Sequence, residues 1–238
     1  MERTLTIPFV AETRFGFWFL GTETWVKSVL TVAINDLERL IPNRRASYPV
    51  ILDVGCGQGR SFRLLQDKFA AQRLIGVDVD ERSLEQAQRQ IIEDNLRVEL
   101  LKSDAAALNL PDNSIDLLFC HQTFHHLINQ EQALREFYRV LKPGGLLLFA
   151  ESTRAYICSW IIRLLFRHPM EVQRSAEEYL SMIRRQGFEF GPNTISLPYL
   201  WWSRSDLGLL EWLGFPLSKN REETLINVVA KKPLANVI

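Results

Sequence analysis

From residue 50 onward, short apolar runs alternate with longer stretches whose apolar residues recur every three or four positions. Strands buried on both faces of a parallel sheet read as near-continuous Val/Ile/Leu/Phe, and the helices that cover them carry an apolar stripe. The pattern predicts strands at Val50–Val54, Arg73–Asp78, Arg97–Lys102, Ile115–Cys120 and Gly145–Ala150, with helices at Arg60–Phe69, Glu81–Glu93 and Gln130–Leu141. Asp80 is expected to cap the second helix, Asn129 and Gln132 to form a capping-box start to the third, and Pro143-Gly144-Gly145 to stop it. Beyond Ala150 the alternation loosens. Residues 155–167 and 175–186 read as helical, Gly187–Leu197 has room for a strand, and Thr224–Lys231 is a strong final strand.

The first 49 residues differ: Phe15, Phe17, Trp18, Phe19 and Trp25 crowd into eleven positions before an amphipathic stretch from Val26 to Leu40. No linker divides the chain. One α/β domain spanning 1–238 is expected, with a helical cap (1–49), a core (50–151) and a region of further helices and strands (152–238).

Composition narrows the classes. Twenty-eight basic residues against twenty-eight acidic ones give zero net charge, without the basic excess of a general nucleic-acid binder. A 47% hydrophobic and 24% charged composition excludes a disordered or collagen-like chain. Three separated cysteines, Cys56, Cys120 and Cys158, form no disulfide framework or zinc pair and suit a reducing compartment. The most apolar run, Tyr156–Phe166, contains Arg163 and falls far short of the roughly 20 residues that span a bilayer. A soluble, cytoplasmic protein is the expectation.

The most informative segment is Val50-Ile51-Leu52-Asp53-Val54-Gly55-Cys56-Gly57-Gln58-Gly59-Arg60. A buried strand runs into glycines at alternate positions, and a helix follows at once. Glycine belongs where backbone must turn sharply and also lie against a ligand. A second strand then ends in Asp78, 23 residues after Gly55, where a carboxylate can accept hydrogen bonds from ribose hydroxyls. A nucleoside-like ligand is indicated. Its glycines are spaced G-x-G-x-G rather than the G-x-G-x-x-G of dinucleotide sites.

The Asp-x-Gly-x-Gly-x-Gly pattern resembles motif I of class I S-adenosylmethionine-dependent methyltransferases. Leu101-Lys102-Ser103-Asp104-Ala105, Leu110–Leu118 and Arg139–Leu148 are similar to later segments of the same family, in the same order. The resemblance covers about residues 48–151 and is nearest to the small-molecule branch that includes quinone-biosynthesis enzymes. It implies a Rossmann-like, doubly wound, mostly parallel sheet of seven strands, with Thr224–Lys231 as an antiparallel strand beside the fifth. It also implies S-adenosylmethionine as cofactor, released as S-adenosylhomocysteine. Gly55, Cys56, Gly57 and Gly59 would line its methionine and ribose part, with Asp53 shaping the loop. Asp78 and Val79 would meet the ribose, Asp104 and Ala105 the adenine, and His121 and Gln122 would edge the sulfonium. Two other readings stand beside it. Tyr138 and Lys142 spell the Tyr-x-x-x-Lys pair of short-chain NAD(P)-dependent dehydrogenases, although Lys142 abuts a helix-stopping Pro-Gly-Gly. A catalytically silent cofactor-binding partner subunit is the other.

Methyl transfer from a sulfonium is an in-line displacement that chiefly needs alignment and exclusion of water. A base is required only where the acceptor must lose a proton. The candidate is His125, within Cys120-His121-Gln122-Thr123-Phe124-His125-His126-Leu127 at the carboxyl edge of the fourth strand. No second ligand cluster accompanies these histidines in sequence, so no metal is expected. Phe15, Trp18, Trp25, His126, Tyr199, Trp201 and Trp202 are the acceptor-side candidates; the aromatic residues among them either close over an apolar small molecule or pack on one another. Residues 154–185 hold six arginines and three glutamates beside the apolar 156–166 run. They read as a solvated face or as a segment resting on an anionic membrane surface.

Overall fold

The computed structural model describes residues 10–204, 206–216 and 222–234. Among them a seven-stranded sheet runs in the order β3-β2-β1-β4-β5-β7-β6. Its strands are β1 (Val50–Val54), β2 (Arg73–Asp78), β3 (Val98–Lys102), β4 (Ile115–His121), β5 (Leu141–Ser152), β6 (Ile195–Ser196) and β7 (Leu225–Lys231). The first five are parallel, and β7 enters antiparallel between β5 and β6. The parallel half-sheets and the reversed last strand are as expected.

The helices are α1 (Arg14–Leu20), α2 (Glu23–Trp25), α3 (Thr31–Leu40), α4 (Phe62–Phe69), α5 (Glu81–Glu93), α6 (Gln130–Val140), α7 (Arg154–Ile157), α8 (Trp160–Leu165), α9 (Ala176–Arg185) and α10 (Leu209–Trp212). Because strand side chains alternate, each strand feeds two cores. Leu52, Val54, Leu118 and Cys120 pack with Phe137 of α6 and Tyr179 of α9. Ile51, Leu117 and Phe119 face the other way, against Ile34 and Leu37 of α3, Phe62 and Leu65 of α4 and Ala87 of α5. Helices therefore cover both faces, and the carboxyl ends of β1, β2 and β4 are left to build a site.

Several local expectations change. The helix expected from Val26 begins at Glu23 and passes through a π-helical turn at Val26–Leu30. The helix expected over 155–167 is two short ones, because Ser159 is extended and restarts the chain as α8. Asp80 precedes α5 without a side-chain bond to its backbone, since its carboxylate instead accepts from Ser83 Oγ at 2.8 Å. Asn129 likewise makes no side-chain cap for α6. Pro143-Gly144 does not follow a gap: α6 ends at Val140 and β5 starts at Leu141, with an irregular register opposite Ile115–Leu117. Ser175 forms the full reciprocal box, with Glu178 of α9. No helix among the described residues is long and apolar enough to cross a membrane.

Candidate active site

The loop after β1 turns with Gly55, Gly57 and Gly59 all at positive φ. At Gly55 a Cβ would stand 2.1 Å from the Thr123 side chain, so this residue is excluded by packing as well as by backbone. Gly57 is different. Its φ is +52° and nothing lies within 4 Å of an added Cβ, so a side chain there would project into open cleft. Gly57 N–H donates to Asp78 Oδ2 at 2.8 Å, and Asp80 N–H donates to Oδ1 at 2.9 Å. Asp78 thus fixes the loop from the end of β2. Burial raises its carboxyl above the usual range, against the backbone N–H groups that lower it.

A cleft along the ends of β1, β2 and β3 is lined by Gly55, Gly57, Asp78, Val79, Asp104, Ala105 and Gln122. Asp104 Oδ1 accepts from Ala106 N–H at 2.8 Å, which orients the carboxylate at the turn after β3. A smaller hollow behind the loop is lined by Asp53, Cys56, His121, Gln122 and Thr123. Asp53 is buried and accepts from Ser61 Oγ; desolvation, reinforced by Asp78, pushes its pKa up to about 7. His121 is buried against the Phe119 ring, and desolvation takes its pKa down to about 3. Its Nε2 has no hydrogen-bond partner. Open space at Gly57 and an orphaned nitrogen at His121 are what an adenosyl amino acid would fill, so these residues fit S-adenosylmethionine. Gly59, expected at the cofactor, lies outside both hollows and gives room to the Phe62 ring.

Across the cleft a third cavity of about 400 Å³ falls within the ordinary range for small-molecule pockets. Phe15, Trp25, Gln122, His125, His126, Tyr156, His168, Trp201 and Trp202 are among its walls. Trp18 and Tyr199 are not brought there. The Trp18 ring is 63% exposed, and Tyr199 bonds outward to Glu211 and Arg204. Leu20 and Gln122 line all three spaces, so the cleft and the apolar cavity meet at them. Gln122 holds a left-handed φ of +50° at this junction, its Oε1 accepting from Ser152 Oγ at 2.6 Å.

Sequence reasoning missed the group that orders this edge. Glu151, at the end of β5 and 1% exposed, accepts from Thr123 N–H at 2.8 Å and Phe124 N–H at 2.7 Å through Oε1. Its Oε2 lies 2.6 Å from His125 Nδ1. A carboxylate only accepts, so Nδ1 carries the hydrogen, and in the neutral ring the lone pair lies at Nε2. An acid inside the buried run Leu146–Ser152 was the available signal, because a buried carboxylate must find donors. His168, 42 residues downstream in sequence, also joins this corner, stacking on His126 at 4.8 Å between ring centroids. His168 thus adds a third imidazole to the pair, one that sequence spacing alone did not bring together with them. Burial lowers the pKa of His126 and takes that of His168 to about 3.

The N-terminal segment is fastened over the loop. Gln58 Nε2 donates to the Phe17 carbonyl at 2.6 Å, the Arg82 guanidinium lies 4.1 Å from the Phe17 ring centroid, and Arg60 pairs with Glu23. Tyr138 and Lys142 stand elsewhere. Tyr138 packs on Phe188, and Lys142 Nζ pairs with Asp116 at 2.8 Å, so no Tyr–Lys pair reaches a cavity.

Residues 52–149 match the family described as "Methyltransferase domain". A "probable S-adenosylmethionine-dependent methyltransferase" of Mycolicibacterium smegmatis is 36% identical over 149 residues, covering 63% of this chain and 50% of the relative. A demethylmenaquinone methyltransferase of Listeria monocytogenes is 32% identical over 126 residues, covering 51% and 53% of the two chains. The chain thus spans about half the length of these curated relatives. Among solved structures, the phosphoethanolamine N-methyltransferase 2 of Haemonchus contortus, with S-adenosylhomocysteine bound, superposes with a TM-score of 0.65. At 19% identity, over 92% of this chain and 56% of that one, the likeness is one of fold.

Proposed function

From a chain whose residues 52–149 form a class I S-adenosylmethionine-dependent methyltransferase domain, we propose that it methylates a small, apolar, aromatic acceptor of the quinol or phenol type. The observation that carries this reading is the shared wall at Leu20 and Gln122, where the glycine-loop cleft adjoins the apolar cavity of about 400 Å³. The bound cofactor supplies an electrophilic methyl group whose departure leaves a neutral thioether. Every other contribution comes from the chain. Gly55, Gly57, Asp78 and Asp104 hold the adenosyl part, and Asp53, Cys56, His121 and Gln122 surround the methionyl part. Leu20, Trp25 and Phe15 exclude water from the meeting point. His125 faces the acceptor with Nε2 and takes its hydroxyl proton, while Glu151 holds the ring in that tautomer. The name of the Listeria relative supports a quinol-type acceptor.

The cavity mouth bears on where such an acceptor is collected. Ile161, Ile162 and Leu165 of α8 line the cavity, while Trp160 and Leu164 on the other side of the same helix are 67% and 72% exposed. With Arg163 between them, this face suits an anionic membrane surface holding an apolar substrate. Incubation with S-adenosylmethionine and a panel of quinols and phenols tests the function directly. Stoichiometric S-adenosylhomocysteine release with one acceptor class is expected. Binding of S-adenosylhomocysteine without turnover on any acceptor would favour a silent subunit, and no binding at all would overturn the cofactor assignment.

A further inference from the structure

We propose that His125, His126 and His168 form a site for one divalent transition-metal ion, zinc foremost, on the wall of the apolar cavity. One ligand nitrogen from each ring lies within 4.8 Å of the others, and the ring centroids are 4.3, 5.1 and 4.8 Å apart. Tetrahedral zinc at about 2.0–2.1 Å from each nitrogen needs them about 3.4 Å apart, so an inward turn of the rings completes the triangle.

Three features mark the cluster as built. The first is the carboxylate behind it: Glu151 Oε2, 2.6 Å from His125 Nδ1, fixes the tautomer that offers Nε2, an arrangement common behind metal-bound histidines. The second is a clamp. Buried Gln173 donates through Nε2 to the His125 carbonyl at 2.9 Å and to the Pro169 carbonyl at 2.7 Å. It therefore ties the segment bearing His168 to the turn bearing His125 and His126. The third is charge: Glu12 Oε1 lies 3.7 Å from His126 Nε2, on the side where a cation gains from it.

Three imidazoles suit zinc, iron, nickel or copper rather than magnesium or calcium, which favour oxygen. Three protein ligands leave a fourth position, and here it faces the apolar cavity. An acceptor oxygen bound there would form a bond to the ion through a lone pair, its O–H proton passing to the Glu12 carboxylate on the same cavity wall. With the ion present His125 is a ligand, and the acidifying role passes to the metal. This deepens the reading of the acceptor pocket, but metal binding needs neither cofactor nor acceptor, so the two readings fail separately.

The test uses the full chain, stripped with a chelator and titrated with Co²⁺ and then Zn²⁺. One Co²⁺ per chain with the visible absorption of a tetrahedral site, displaced by one Zn²⁺, is expected. His126→Phe and His168→Phe, each keeping a stacked ring, abolish that absorption. Glu151→Gln weakens the affinity about 10–100-fold. Absence of the absorption in the unaltered chain overturns the site, as does its persistence in either folded His→Phe variant; the two are read separately, so misfolding of one leaves the other decisive.

Discussion

Removing the Glu151 carboxylate tests whether one buried acid organises the acceptor edge. In Glu151→Ala, the N–H groups of Thr123 and Phe124 and the His125 Nδ1–H lose their acceptor inside a site that is 1% exposed. An unsatisfied buried donor costs about 1–3 kcal/mol, so three cost about 3–9 kcal/mol, less whatever water entering from the neighbouring cavity recovers. Against a typical total of about 5–15 kcal/mol, that is a severe loss. Glu151→Gln separates folding from chemistry. Its amide oxygen can still accept from the two backbone groups, but its NH₂ meets His125 Nδ1 donor to donor. The imidazole must then take the other tautomer, with the lone pair on Nδ1 and the hydrogen on Nε2. Exchanging a charge-assisted bond for a neutral one costs about 1 kcal/mol, while the proton acceptor facing the cavity is gone. Denaturant unfolding measures the first quantity and ¹⁵N chemical shifts of the His125 ring report the second. A Glu151→Ala chain as stable as the parent refutes the bonding scheme; a chelator-stripped Glu151→Gln chain whose Nε2 remains unprotonated refutes the tautomer argument.

Asp78→Ala is expected to weaken S-adenosylhomocysteine binding by about 1.5–3 kcal/mol, the range for a charged hydrogen-bonding partner; calorimetry showing unchanged affinity would remove the ribose role. For Asp53, burial raises the folded-state pKa from 3.8 to about 7, so between those values the folded chain keeps a proton that the unfolded chain has released. Its contribution to stability therefore falls as pH rises through that window, by a ceiling of about 4 kcal/mol at 1.36 kcal/mol per unit. Asp53→Asn, which can still accept from Ser61, should gain stability relative to the parent from pH 4 to 7; parallel pH profiles in chemical denaturation would exclude this. Trp160→Ser with Leu164→Ser should reduce co-flotation with anionic vesicles while leaving S-adenosylhomocysteine affinity unchanged, and equal flotation of both chains would place the lipid contact elsewhere.

The sheet was legible because its signals are local. Five parallel strands fall within a residue or two of their apolar runs, save that β5 begins at Leu141, four residues before its run. Hydrophobicity marks the buried stretch, and backbone pairing extends past it. Asp80 and Asn129 take the N-cap positions without bonding the helix ends, because a short polar side chain beside a helix start has other partners, and Ser83 took Asp80. The cofactor half was also local, since glycine spacing and a strand-end acid are written in two short segments.

The acceptor half was not, and the difference is physical. His125 meets Glu151 across 26 residues, His168 stacks on His126 across 42, and Gln173 reaches back 48 residues to the His125 carbonyl. No periodicity records such contacts, because they exist only once β4 and β5 lie side by side and the chain after α8 has folded onto their ends. Trp18 and Tyr199 show the converse. Aromatic content counts candidate walls without saying which way they face, and both point to solvent or to polar neighbours. What the sequence does hold is a demand: a glutamate inside a run of buried leucine and phenylalanine must be answered by donors nearby. Here the donors are two backbone N–H groups and an imidazole in the one turn between the glycine-loop cleft and the apolar cavity, with the Cys120 thiol of β4 at 3.8 Å beside them. Fixing that turn fixes Gln122 in its left-handed backbone at the junction and His125 at its edge, so a single buried carboxylate sets both the meeting point of the two pockets and the orientation of the imidazole beside it.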